Sequence, residues 1–138
     1  MAEPVVVVVR EGAEADWPAI RALIAVCPEA ARWADTYPAL VAEVEGRVAG
    51  FALYRLVAGE GELLNLAVNP EVRRDGIGKA LMRALLPLAE LWHLEVREHN
   101  FAAISLYRAL CMEVVGRRER YYSDGAAALL FSGPRRNA

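Results

Sequence analysis

The chain has few of the residues that build metal and disulfide sites. Its 138 residues include two cysteines and two histidines. Cys27 and Cys111 are isolated, with no C-x-x-C pair, and His93 and His99 are the only imidazoles. That excludes a zinc site and a disulfide framework, and it suits a reducing, cytoplasmic setting. Long hydrophobic runs are missing as well. The longest β-branched stretch, Val5 to Val9, stops at Arg10, far short of the ~20 residues that span a bilayer. Met1-Ala2-Glu3-Pro4 lacks the basic start of a secretory signal. No strong charge of one sign is present: the net charge is −2, which gives nucleic-acid binding no support.

What is there is a 56% apolar chain of single-domain length, with residues 133–138 expected to form a frayed tail. Its charge is uneven. Residues 1–68 carry 5 basic and 10 acidic side chains, and residues 69–138 carry 11 and 8. A basic half suits an anionic cofactor, and an acidic half suits a cationic substrate.

The pattern predicts the order β-α-α-β-β-β-α-β-α-β-β, a mixed, mostly antiparallel sheet with helices on both faces. Val5 to Val9 reads as a buried strand, followed by a helix from Ala13 to Val26 that Cys27-Pro28 ends. Residues 29–39 are expected to form a short helix or irregular arm carrying Trp33 and Tyr37. Strands follow at Leu40 to Val44, Val48 to Val57 and Glu62 to Val68, with turns at Glu45-Gly46-Arg47 and Ala58 to Gly61. A helix from Gly76 to Glu90 is expected to kink or end early at Pro87. The strand Leu91 to Arg97 and a helix from Phe101 to Leu110 come next. Met112 to Tyr122 and Ala126 to Phe131 close the chain as a hairpin.

The segment Leu63 to Leu81 is the most informative. It reads as an apolar strand, a basic glycine loop with Arg73, Arg74, Gly76, Gly78 and Lys79, and then a helix. Unpaired N–H groups of a first helical turn and the helix dipole together attract a phosphate, and glycine lets the backbone come close to it. A P-loop is excluded because Arg73 and Ala80 stand where it needs glycine and a hydroxyl residue. The dinucleotide fingerprint fails at Leu81. What remains resembles the coenzyme A pyrophosphate loop of the GCN5-related N-acetyltransferases.

In the strand Leu91 to Arg97, Trp92, Leu94 and Val96 share one face, and His93, Glu95 and Arg97 share the other. A polar face on a central strand points either to a water-filled groove or to Glu95 pairing with Arg97. Asn100 sits where a helix N-cap belongs. Tyr107 lies on the apolar stripe of its helix, as a core tyrosine or as a phenol serving a groove.

Leu94 to Arg97, Asn100, Ala102 to Ile104, Leu106-Tyr107 and Tyr121-Tyr122 are similar to the ribosomal-protein-alanine N-acetyltransferases within that superfamily. The resemblance implies an acetyl-CoA-dependent enzyme without a metal that acetylates the N-terminal alanine of a small-subunit ribosomal protein. It implies that Leu66, Ala67 and Val68 offer backbone groups to the pantetheine arm. Arg73, Arg74, Asp75, Gly76, Ile77, Gly78 and Lys79 would hold the pyrophosphate, and Asn100 would touch the cofactor. Glu95 would be the general base, Tyr107 the general acid, and the N–H of Leu66 or Val68 an oxyanion donor. Trp33, Tyr37, Tyr121 and Tyr122 would contact the acceptor. The chain would work in the cytoplasm as a monomer or weak dimer, with no membrane or nucleic-acid partner. Three features depart from the pattern: Asp75 inside the phosphate loop, a short Gly78 to Glu95 segment, and Cys111-Met112 where the family has Gly-Phe. A small-amine acetyltransferase and a non-catalytic acyl-CoA sensor are the competing readings.

Overall fold

The computed structural model of the chain describes residues 5–27, 38–72 and 76–134. Among the described residues seven strands, β1 Val7–Glu11, β2 Ala39–Val44, β3 Arg47–Val57, β4 Glu60–Val68, β5 Leu91–Arg97, β6 Glu113–Arg118 and β7 Ala128–Gly133, are ordered β1-β2-β3-β4-β5-β7-β6. The described residues also form the α-helices α1 Trp17–Val26, α2 Ile77–Leu85 and α3 Phe101–Ala109. The β4–β5 ladder is parallel and those of β1–β2, β2–β3, β5–β7 and β6–β7 are antiparallel. The chain packs as two compact units, residues 1–54 with 65–85 and residues 55–64 with 86–138.

In the first unit, β2 and β3 meet at a two-residue turn in which Glu45 and Gly46 both have positive φ, 51° and 76°. That turn matches the twist of an antiparallel hairpin. Val41, Phe51, Leu53, Ile77, Leu81 and Leu85 are buried there, and α2 packs on β1 and β2. Gly50 sets how closely. A Cβ at this position would lie 3.0 Å from the Ala67 carbonyl oxygen and 3.0 Å from Ile77 Cγ2. Only glycine therefore lets β3, the end of β4 and the start of α2 approach so tightly.

The expectation of a buried first strand is corrected here. β1 begins at Val7, stands at the end of the strand order, and leaves Val5, Val6 and Val8 46%, 72% and 52% exposed. A continuous apolar run cannot by itself distinguish an edge strand from a buried one. Arg10 anchors this edge. Its guanidinium donates to Asp16 at 2.8 and 2.9 Å and to Glu43 at 2.8 Å, while Asp16 also accepts from the Ala13 N–H at 2.7 Å. The Arg10 hydrogen bonds hold the Asp16 carboxyl down at about 2, against an ordinary 3.8. A carboxylate with a lowered folded-state value stabilises the fold above its unfolded value and loses that contribution as pH falls. The expected loss runs from about pH 4 to about pH 2 and amounts to about 1 kcal/mol after allowance for solvent around Arg10. Asp16→Asn should flatten this acid limb in urea melts taken across that range.

In the second unit, Trp92, Leu94, Val96, Tyr107, Met112 and Phe131 are buried. Gly61 on β4 lies directly against the Trp92 ring. The expected early stop at Pro87 is observed: α2 ends at Leu85, and a 3₁₀ turn, Leu86–Leu88, leads to β5. The Leu86 carbonyl accepts from the Trp92 indole N–H at 3.0 Å. Several boundaries differ from expectation, among them the start of β7 at Ala128 and not Ala126. β6 ends at Arg118 and not at Tyr122, because the chain turns at Arg120 with φ of 52° and leaves the ladder. β7 runs on to Gly133, which pairs with Trp92, so the frayed tail does not begin there.

Cys111 replaces the glycine that usually closes such a helix, yet the turn forms. It adopts φ of 65°, its N–H donates to the Arg108 carbonyl at 3.0 Å, and the Met112 N–H donates to the Tyr107 carbonyl at 3.0 Å. Those two bonds are a Schellman cap. A side chain in the left-handed region is strained, so Cys111→Gly should stabilise the fold by about 0.5–1 kcal/mol, read as a rise in Tm.

Candidate active site

The first unit carries the candidate cofactor segment. Along the end of β4, Leu66 and Val68 are half-buried and Ala67 is buried. The Val68 carbonyl accepts from the Cys27 thiol at 3.4 Å, which gives this buried cysteine a packing partner on the strand. Asn69 then turns the chain. Its N–H donates to the Ala49 carbonyl at 2.7 Å, and its side-chain oxygen accepts from the Glu71 N–H at 2.9 Å. Arg73, Arg74 and Asp75 lie outside the described residues, as do Trp33 and Tyr37.

Gly76 follows with φ of 75° and open space where a Cβ would stand. The first bond of α2 runs from the Ala80 N–H to the Gly76 carbonyl at 2.9 Å. The N–H groups of Gly76, Ile77, Gly78 and Lys79 thus precede the helical ladder, at the positive end of the helix dipole. Ile77 is only 2% exposed, so its side chain belongs to the core and its backbone alone can meet a ligand. Lys79 is exposed. A helix start with free backbone N–H groups and open space at Gly76 fits a diphosphate.

The second unit carries the candidate acid–base residues. Glu95 is exposed on β5 between buried Leu94 and Val96. The parallel ladder with β4 ends at Leu63↔Leu94, and beyond it Glu95 to Arg97 pair with Leu130 to Ala128 of β7. Arg97 is not the partner of Glu95. Its guanidinium donates to Asp124 at 2.7 Å and lies 4.2 Å from the centre of the Tyr122 ring. Glu95 instead lies beside the Tyr121 hydroxyl, and its carboxylate, with partial burial, pushes the Tyr121 phenol up to about 12. Tyr121 and Tyr122 pack edge to face at 5.1 Å. The loop between β6 and β7 is pinned beneath them, because the Asp124 carboxylate also accepts from the Ala126 N–H at 3.0 Å. That bond and Arg97 hold the Asp124 carboxyl low.

Asn100 caps α3, its side-chain oxygen accepting from the Ala103 N–H at 3.2 Å. One turn after another carries the stripe to Tyr107, which is 4% exposed and packs against Phe131 with ring centres 5.7 Å apart. Burial raises its phenol, and the neighbouring Tyr122 adds to the rise. The phenol therefore keeps its proton at neutral pH. The second unit thus brings Glu95, Tyr121 and Tyr122 together, with Tyr107 next to Tyr122. Period-two alternation marks Arg97 as polar-facing, but nothing in the sequence ties it to Asp124, 27 residues away.

The sheet is mixed, α2 opens on a glycine turn, and Glu95 is the one acidic residue of β5. The profile of the Acetyltransferase (GNAT) family matches residues 9–111, well over half of the chain, and the chain belongs to that family. Relatives include the [ribosomal protein bS18]-alanine N-acetyltransferase of Escherichia coli (strain K12), 41% identical over 88 residues. That match covers 58% of this chain and 59% of the relative's length, less than two thirds. The N-alpha-acetyltransferase of Sulfurisphaera tokodaii is 36% identical over 112 residues, covering 68% of this chain and 67% of that protein. Among solved structures, the ribosomal-protein-S18-alanine N-acetyltransferase from Escherichia coli superposes with a TM-score of 0.83 at 28% identity, covering 96% of both chains. Arabidopsis thaliana Naa50, solved with a CoA-containing bisubstrate analogue, shares the fold with a TM-score of 0.82 at 20% identity, over 93% of this chain and 98% of its own.

Proposed function

We propose that the chain transfers the acetyl group of acetyl-CoA directly to the α-amine of a protein N-terminus, its acceptor being the N-terminal alanine of a small-subunit ribosomal protein. The observation that carries this reading is the exposed carboxylate of Glu95, set between buried neighbours on β5 and beside the Tyr121 phenol. Bound acetyl-CoA supplies the acyl group as a thioester. Leu66, Ala67 and Val68 would meet its pantetheine arm through the backbone, as an added strand does. Arg73, Arg74 and the amides from Gly76 to Lys79 would hold its diphosphate, with the Asp75 side chain directed elsewhere. Asn100 would touch the arm while capping α3.

An α-amine has a pKa of about 7.7–8.0 and is largely protonated near neutrality. Glu95 takes that proton, directly or through a water, and leaves the amine lone pair to attack. A backbone N–H of Leu66 or Val68 receives the developing oxyanion. Tyr107, kept protonated by burial, gives its proton to the departing thiolate. No acyl-enzyme is needed, and Cys27 is already engaged by the Val68 carbonyl. Trp33, Tyr37, Tyr121 and Tyr122 would clamp the acceptor peptide. The enzyme would act in the cytoplasm, as a monomer or weak dimer and without a metal. No helix among the described residues is long and apolar enough to cross a membrane.

Steady-state assays with an Ala-Arg-type peptide and a panel of free amino acids and polyamines test the reading. The peptide is expected to be the efficient acceptor, and Tyr107→Phe should lower kcat by about 100-fold with little change in KM. Turnover of free amines alone would make this a small-amine enzyme. Coenzyme A binding with no turnover on either panel would make it a sensor.

A further inference from the structure

Glu60 on β4, His93 on β5 and Ser132 on β7 form a line of hydrogen bonds that acetyl transfer does not use. His93 Nδ1 lies 2.7 Å from Ser132 Oγ, and His93 Nε2 lies 2.9 Å from Glu60 Oε1. Register builds the line. His93 stands opposite Ser132 on one side and Glu62 on the other. Glu62 is held by Arg55, and Glu60, one diagonal step along the same strand, takes the imidazole.

The tautomer follows from the partners. An ionised carboxylate only accepts hydrogen bonds, so Nε2 carries the ring proton and donates it to Glu60. In the neutral ring Nδ1 then holds the lone pair, and the Ser132 hydroxyl donates to it. Hydroxyl, base and orienting carboxylate in hydrogen-bond contact are the parts that activate a nucleophile. The side chains of His93 and Glu60 are 45% and 55% exposed, and Ser132 is half-buried.

We infer that Ser132 is an acyl-accepting nucleophile that takes acyl groups from activated esters and thioesters. Oγ attacks the carbonyl carbon, and a C–O or C–S bond of the donor breaks as the Oγ–C bond forms. The hydroxyl proton passes to Nδ1 and from there to the departing oxyanion or thiolate, while Glu60 steadies the imidazolium through Nε2–H. β7 is laddered on both sides, to β5 and to β6, so its amides serve the sheet and not a developing oxyanion. The base alone accelerates the step, which favours a single acylation over rapid turnover.

The intact chain, incubated with p-nitrophenyl acetate at neutral pH and mapped by peptide mass spectrometry, provides the test. Ser105 and Ser123 are exposed serines outside this line and serve as internal references. Ser132 is expected to acquire acetyl about 100-fold faster than either, the lower end of general-base assistance. His93→Gln should abolish that preference while far-UV circular dichroism stays unchanged. Labelling of Ser132 no faster than of Ser105 and Ser123 in the unmodified chain overturns the inference, and so does a preference that survives in a folded His93→Gln variant.

Discussion

Glu95→Gln is expected to lower kcat/KM for an N-terminal peptide by about 10²–10⁴-fold, the range that a positioned general base contributes. The fold should be nearly untouched. Gln has the same shape and the site is exposed. The loss should also shrink as pH rises past about 8, where the α-amine sheds its proton without help. Initial rates across pH 6.5 to 9.5 measure both effects. A loss that stayed constant over that range would assign Glu95 to acceptor binding and not to proton removal.

Gly61→Ala carries the largest expected effect on stability. The added methyl would lie 2.5 Å from ring atoms of Trp92, inside any tolerable contact. That ring cannot easily retreat, being 1% exposed and tied by its N–H to the Leu86 carbonyl. Overpacking of this kind costs about 3 kcal/mol, which lowers Tm by roughly 10 °C in a domain of this size. Thermal unfolding followed by circular dichroism checks it. Because Trp92 and Glu95 share β5, activity should fall well below the variant's melting point as the strand loosens. An unchanged Tm would mean that the ring has room the packing does not suggest.

Much of this arrangement was legible from periodicity and turn chemistry. β5 has the bounds that alternation assigns to it, Leu91 to Arg97, because buried residues alternate there with half-buried or exposed ones. Pro87 forecast the end of α2, since proline disfavours helix in the residue before it. Glu45-Gly46 and Ala58-Gly59 gave away their turns through the positive φ that such loops demand. Other features depend on tertiary partners. Nothing local distinguishes Val5 to Val9 as an edge. Tyr121 and Tyr122 have strand propensity, but the Glu95 carboxylate and the Arg97 guanidinium draw them into a loop. The Cys111 turn formed without glycine because two backbone bonds and the burial of Met112 hold a strained residue in place. For the site, the exposed carboxylate of Glu95, the cap at Asn100 and the burial of Tyr107 followed from pattern, whereas the Arg97–Asp124 pair needed the folded chain.

Where the acetyl group lands tests the central claim most directly. A peptide beginning Ala-Arg and carrying one internal lysine, incubated with acetyl-CoA and the chain, can be read by fragment-ion mass spectrometry. Acetyl is expected on the alanine α-amine alone, with no acetylated cysteine on the protein and no product from Glu95→Gln. Acetyl confined to the lysine side chain, or passed through a cysteine, would contradict it.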